Sequence, residues 1–253
     1  MHSLARDPSS DLRRAGLLAA TIGLAVVGLA VVYPWVLDSL LGRISVRTLA
    51  GALLALLVVS IPLRAAILGS LGLGVWLPTA GLGGLLAAAV SGGDTTATTA
   101  LRLVPAWVYA CLAGLFAASL RGPDSIIERG ARWIVPVAPL FIRGYCRKST
   151  GLWVMLFLGT ALTTTALAVA GDADAWRTFT SRTVWLVMGA VMGVEFLFRK
   201  TWFRYYARGG PFERLWSALF PAERTERGRR SMEYIRRMRG EPRKAAEAAG
   251  PAS

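Results

Sequence analysis

The chain has 253 residues, 54 % of them hydrophobic and 17 % charged, with 29 Lys and Arg against 15 Asp and Glu. A soluble domain normally carries about 25 % charged residues, so this balance excludes an ordinary soluble fold and points to a membrane protein. The net charge of +14 lies between apolar stretches and in the C-terminal tail, which fits basic loops retained in the cytoplasm and drawn to anionic headgroups, and not nucleic-acid binding.

Residues 1–14 form a polar tail with Arg6, Arg13 and Arg14 beside the first apolar stretch. Residues 15–37 are long enough to cross a bilayer and too long for a signal-peptide core, so they read as a retained helix. Tyr33, Pro34 and Trp35 close it, as expected where aromatics meet the interface. Residues 48–63 make a short second span, ended by Pro62 and then Arg64. A re-entrant segment is an alternative there, but a crossing returns Arg64 to the cytoplasm. Residues 65–90 form a third span rich in glycine, at 69, 72, 74, 81, 83 and 84, with Pro78. Small residues let backbones approach, which suits an inner packing helix; a broken helix lining a substrate path is the sharper alternative.

Residues 91–102 read as a polar external loop, and residues 103–120 as a fourth span with Pro105 in its first turn. A basic island follows at 121–150, then a fifth span at 151–170, an external loop, and a sixth span at 183–198 that could begin near Trp176. With six crossings both termini are cytoplasmic. The inside segments then hold 24 Lys and Arg, against five outside: Arg43, Arg47, Arg102, Arg177 and Arg182. That ratio fixes the expected orientation in a bacterial inner membrane. The fold expected is therefore all-α, a polytopic integral membrane helical bundle of about six transmembrane helices.

Beyond it, residues 199–220 interleave Arg with aromatics. Pro211 opens a short helix in which Phe212, Leu215, Trp216 and Leu219 share one face, an interfacial amphipathic segment. Residues 221–253 read as a charged cytoplasmic tail, with a loose helix around 225–239 and disorder after it.

Candidate chemistry is sparse. No cofactor or metal is expected: His2 is the single histidine, no ligand-spaced set exists, and Cys111 and Cys146 fall at different depths. Glu195 is the one acidic residue inside a span, in helical register with Arg199. It reads either as half of a structural ion pair or as a group that handles a proton or substrate. Gly189 and Gly193 form a GxxxG, which allows helix–helix oligomers. In the island, Asp124 or Ser125 is expected to cap a helix that exposes Glu128, Arg129 and Arg132 and buries Ile126, Ile127 and Trp133. Cys146, flanked by Arg143, Arg147 and Lys148, is either an activated thiol or a bystander.

Tyr33-Pro34, Pro105, Phe116, Ser119 and Leu120 carry a further signal, as do Pro123, Ile127, Glu128 and Arg129 in the island. With Tyr145, Arg147, Thr150, Trp153, Glu195 and Arg199, this pattern resembles a family of six-helix bacterial inner-membrane proteins. Their genes lie in clusters for aryl-polyene or related fatty-acid-like lipids. The resemblance implies an accessory protein of carrier-bound acyl-chain assembly, with an acidic acyl carrier protein steered to the basic cytoplasmic face. A transporter or membrane enzyme acting on a lipid intermediate, and a structural envelope protein, are the alternatives; whether the protein is an enzyme stays open.

Overall fold

The computed structural model describes residues 33, 35–37, 39, 40, 43–68, 73–134, 140–204 and 210–248, with side chains described outside 61–76, 133–140 and 239–248. The N-terminal tail, most of the first expected span, Gly69, Gly72, Pro136, Pro139 and residues 249–253 lie outside the described residues, as does the Trp133 side chain. The described residues are helical, without a strand.

Helix α1 spans Val46–Leu68, α2 Leu73–Ser91 and α3 Asp94–Arg121. Helix α4 spans Ile126–Ile134, and a 3-10 turn at Leu140–Ile142 leads into α5, Arg143–Ala170. After a turn at Gly171 and Asp172 one continuous helix follows: α6 (Ala173–Thr178), a π-helical turn at Phe179–Thr183, and α7 (Val184–Trp202). Helices α8 (Pro211–Leu219) and α9 (Glu226–Ala248) complete the chain, joined by a 3-10 turn at Ala222–Arg224. Three stretches are long and apolar enough to cross a membrane: Asp94–Arg121, Arg143–Ala170 and Ala173–Trp202, of 28, 28 and 30 residues. Two shorter apolar stretches, Val46–Ser60 and Leu77–Ser91, accompany them. Much of α5 and α7 is bare: Met155, Leu162, Leu186 and Val194 are 60–75 % exposed (67 %, 63 %, 73 % and 67 %). Leaving such a side chain in water forgoes about 1.5–3 kcal/mol, and a hydrocarbon solvent removes that cost.

The helices depart from the expected spans in instructive ways. Helix α1 continues through Pro62 to Leu68, and α2 runs unbroken through Pro78. The stretch read as an external loop is instead the start of α3. Asp94 complements the dipole of its first turn, and Ala97, Ala100 and Leu101 recur at helical spacing as buried core residues. The second external loop shrinks to Gly171 and Asp172, where Asp172 Oδ1 accepts the Ala175 amide at 2.9 Å. Helix α5 begins at Arg143, two turns inside the island, and α9 extends to Ala248.

The chain divides into two compact units. The first comprises residues 1–121 and Gly151–Trp185. Its core gathers Leu57, Leu86, Ala97, Leu101, Ala168 and Trp176. Indole and phenol groups satisfy backbone carbonyls inside it: Tyr33 donates to Leu101 O at 2.9 Å, Trp107 to Pro78 O at 3.0 Å and Trp176 to Arg102 O at 3.1 Å. Gly81 makes room for Trp107, since a Cβ there would stand 2.0 Å from the indole. Close approach is thus shown at Gly81, whereas Gly84 has open space around it. The second unit comprises Gly122–Thr150 and Leu186–Ser253, and it contains the candidates Glu128, Arg129, Arg132, Tyr145, Arg147, Glu195 and Arg199.

Candidate functional site

Within the second unit, the island folds around a carboxylate. Ser125 caps α4, its Oγ accepting the Glu128 amide at 3.4 Å and its carbonyl accepting the Arg129 amide at 2.9 Å. The expected exposed face holds only at Arg129: Glu128 is 2 % exposed and Arg132 is half-buried against it. Two guanidiniums explain the burial of Glu128. Arg132 Nη2 lies 2.7 Å from Glu128 Oε1, and Arg143 Nε, in the first turn of α5, lies 3.7 Å from Oε2. Asp124 completes the set, 2.9 Å from Arg132 and 3.9 Å from Arg143. Arg143 also donates to the Pro123 carbonyl, and Arg147 to the Gly122 carbonyl at 3.1 Å. Two acids and two arginines thus cancel locally, and they clamp α4 against the start of α5. A buried carboxylate is tolerated only when it is paired in this way. Arg132 and Arg143 are therefore structural, although Arg143 is exposed, and the other exposed cations of the island are Arg121, Arg129 and Lys148.

One turn along α5 is a second polar site. Tyr145 and Ser149 stand four residues apart on one face, and both hydroxyls donate to Glu195 Oε1 of α7, Tyr145 at 3.1 Å. Beside Arg199, in helical register on α7, the neighbouring helix α5 thus supplies two hydroxyl partners to this carboxylate. The Arg199 guanidinium lies close enough to act electrostatically on both Tyr145 and Cys146. Cys146 itself is 3 % exposed, which removes it from reach of a soluble partner and leaves it a packing residue. Ser149, which sequence reasoning missed, carried a signal in hindsight: it falls one turn from Tyr145.

Aromatic rings surround this site. Tyr145 stacks on Phe198 at 5.7 Å and meets Phe203 edge-on at 5.2 Å, while Phe198 stacks on Trp202 at 5.2 Å. Arg204 adopts a left-handed conformation, φ 48°, at the end of α7, held by its own side chain, which bonds the carbonyls of Thr201 and Pro221. The turn presents the Phe203 carbonyl to Ser231 of α9, 2.7 Å away. Helix α9 docks through Gly228, Ser231 and Ile235, a buried stripe at i, i+3 and i+7, and its Arg227 lies 4.3 Å above the Trp202 ring. Its other faces present Arg229, Arg230, Arg236 and Arg237 to solvent.

Helix α8 is tied to the end of α7 by Lys200 and Glu213, 3.3 Å apart, and Glu213 also accepts the Gly210 amide at its N-terminus. Phe212, Leu215 and Leu219 are 73 %, 56 % and 59 % exposed on one side of it. These three residues make one side of α8 an exposed apolar face. Among the described residues, no group of three or more His, Cys, Asp or Glu could hold a metal ion. No family model matches this chain, and no curated protein and no solved structure is detectably similar to it.

Proposed function

We propose that this chain is a six-crossing protein of the bacterial inner membrane, with both termini in the cytoplasm, that docks an acidic partner on its second unit. The partner implied by the family resemblance is an acyl carrier protein, which would make the chain an accessory of lipid or polyene assembly. The observation that carries the reading is the fate of the basic residues. Arg132 and Arg143 are consumed by Asp124 and Glu128, whereas α9 is anchored by a neutral stripe that leaves its arginines outward. A tail serving only as a diffuse lipid tether needs no such anchoring, and a docking surface does. The orientation rests on the 24 to five distribution of Lys and Arg, and α1 and α2, of 23 and 19 residues, supply two of the shorter crossings. Exposed apolar residues of α8 seat the unit at the headgroups.

The test is binding of the purified protein, in uncharged detergent, to acyl carrier proteins across a salt series. Saturable binding that weakens with salt and drops about tenfold in Arg229→Gln/Arg236→Gln supports the reading. Equal binding to any acidic protein, indifferent to those substitutions, leaves lipid attraction as the sole role. A second reading, a membrane enzyme or transporter, is favoured by the held Glu195 carboxylate. Loss of the product in Glu195→Gln at unchanged protein abundance would select it.

A further inference from the structure

The two features of the second unit, the Glu195 site and the docked α9, are joined by contacts that neither role requires alone. Two routes run from α9 to Tyr145. In the first, Arg227 covers Trp202 at 4.3 Å, Trp202 stacks on Phe198 at 5.2 Å, and Phe198 stacks on Tyr145 at 5.7 Å. In the second, Ser231 Oγ bonds the Phe203 carbonyl at 2.7 Å, and the Phe203 ring meets Tyr145 edge-on at 5.2 Å. Both routes end on the ring whose hydroxyl bonds Glu195 Oε1.

We infer that α9 is a control arm: when docked it holds Tyr145 over Glu195, and an acidic partner that draws Arg227 off Trp202 uncovers that carboxylate. The inference rests on the docking reading for its trigger, but the mechanical link stands on the contacts alone. Three features of the geometry favour a device over mere packing. The contact at the outer end is a guanidinium on an exposed ring, which is the kind that a competing anion displaces most readily. The seat of α9 is narrow, a Gly228–Ser231–Ile235 stripe, so it opens as one body. The Ser231 hydroxyl is shared between Phe203 O and Arg227 O, at 2.7 and 2.9 Å, so it keeps a partner when α9 lifts. Tyr145 is then a positioning residue, and Arg227 and Ser231 act through it.

The probe is dicyclohexylcarbodiimide, an apolar reagent that modifies membrane-embedded carboxyl groups. It is applied to the whole protein in uncharged detergent, and adduct on Glu195 is read by mass spectrometry of the peptide. With α9 docked, Tyr145 and Ser149 occupy Oε1 and labelling is slow. Arg227→Gln and Ser231→Ala should each raise the labelling rate about three- to tenfold, the population change that loss of one such contact produces. Arg227→Lys, which keeps a cation over Trp202, should restore the slow rate. Tyr145→Phe should label fastest and become insensitive to the α9 substitutions, while Glu195→Gln removes the adduct. Rates indifferent to Arg227→Gln and Ser231→Ala overturn the inference, as does a Tyr145→Phe rate equal to that of the unaltered chain. Since Arg227 is exposed, loss of fold in that variant is not expected, and the Lys variant reports on it. Adding acyl carrier protein to the unaltered chain tests the trigger separately. A raised rate supports both readings; an unchanged rate, with the variants behaving as stated, overturns the partner as trigger and leaves the link.

Discussion

Replacing Arg132 by Ala separates the charges of the island that build the fold from those that face outward. Glu128 is 2 % exposed, and Arg132 supplies its nearest cation at 2.7 Å. Breaking a buried pair by removing one partner costs about 3–5 kcal/mol when nothing else compensates. Two observations lower that figure. The Arg132 side chain is 37 % exposed, and Arg143 remains 3.7 Å from the other carboxylate oxygen. The expected loss is therefore about 2 kcal/mol. Arg129→Ala, on the exposed side of the same helix, should change stability by no more than about 0.5 kcal/mol. Glu128→Gln/Arg132→Ala, which removes both charges, should be less destabilised than the sum of the single variants by about 1 kcal/mol. The assay is reversible unfolding in mixed micelles, followed by tryptophan fluorescence. Equal midpoints for Arg129→Ala and Arg132→Ala would refute the clamp and return Arg132 to the outer face.

Gly81→Ala places a Cβ 2.0 Å from the Trp107 indole and should cost about 1–3 kcal/mol, while Gly84→Ala, with open space around it, should be neutral or slightly stabilising; the same unfolding assay compares them. Gly228→Ala sets a Cβ 2.1 Å from the Ala222 carbonyl oxygen and should undock α9, read as faster proteolysis after Arg229 and Arg230. For α8, brominated lipids in liposomes should quench Trp216 in the unaltered chain, and the combined Phe212→Ser/Leu215→Ser/Leu219→Ser change should abolish that quenching. Quenching that survives the triple change would remove α8 from the interface.

The helical class and the long apolar helices were legible because apolar run length is a local property of a sequence. So was a cap at Asp124 or Ser125, which the structure gives to Ser125, three residues before the amide it accepts. Misreadings arose where a distant partner decides the outcome. Glu128 looked solvated because its second guanidinium, Arg143, is 15 residues away, across the island and in another helix. For Glu195, the in-register Arg199 was visible, but nothing local to α7 reveals the Tyr145 and Ser149 hydroxyls that also bond it. The Asp94–Arg102 segment looked like a loop because five residues with hydroxyl or carboxyl side chains hid the Ala97, Ala100 and Leu101 stripe, which tertiary packing makes helical.

Docking, the control arm and the interfacial helix all require residues 122–150 and 199–248 to share the cytoplasmic side of a membrane. Single cysteines introduced after Cys111 and Cys146 are replaced by Ala measure this directly, through labelling of intact cells with a membrane-impermeant maleimide. Gly93→Cys and Ala173→Cys, at the two hairpin turns, should label from outside. Gly130→Cys and Gly240→Cys should label only after the membrane is opened. Labelling of either of the latter two in intact cells, at a rate matching Gly93→Cys, would contradict the account.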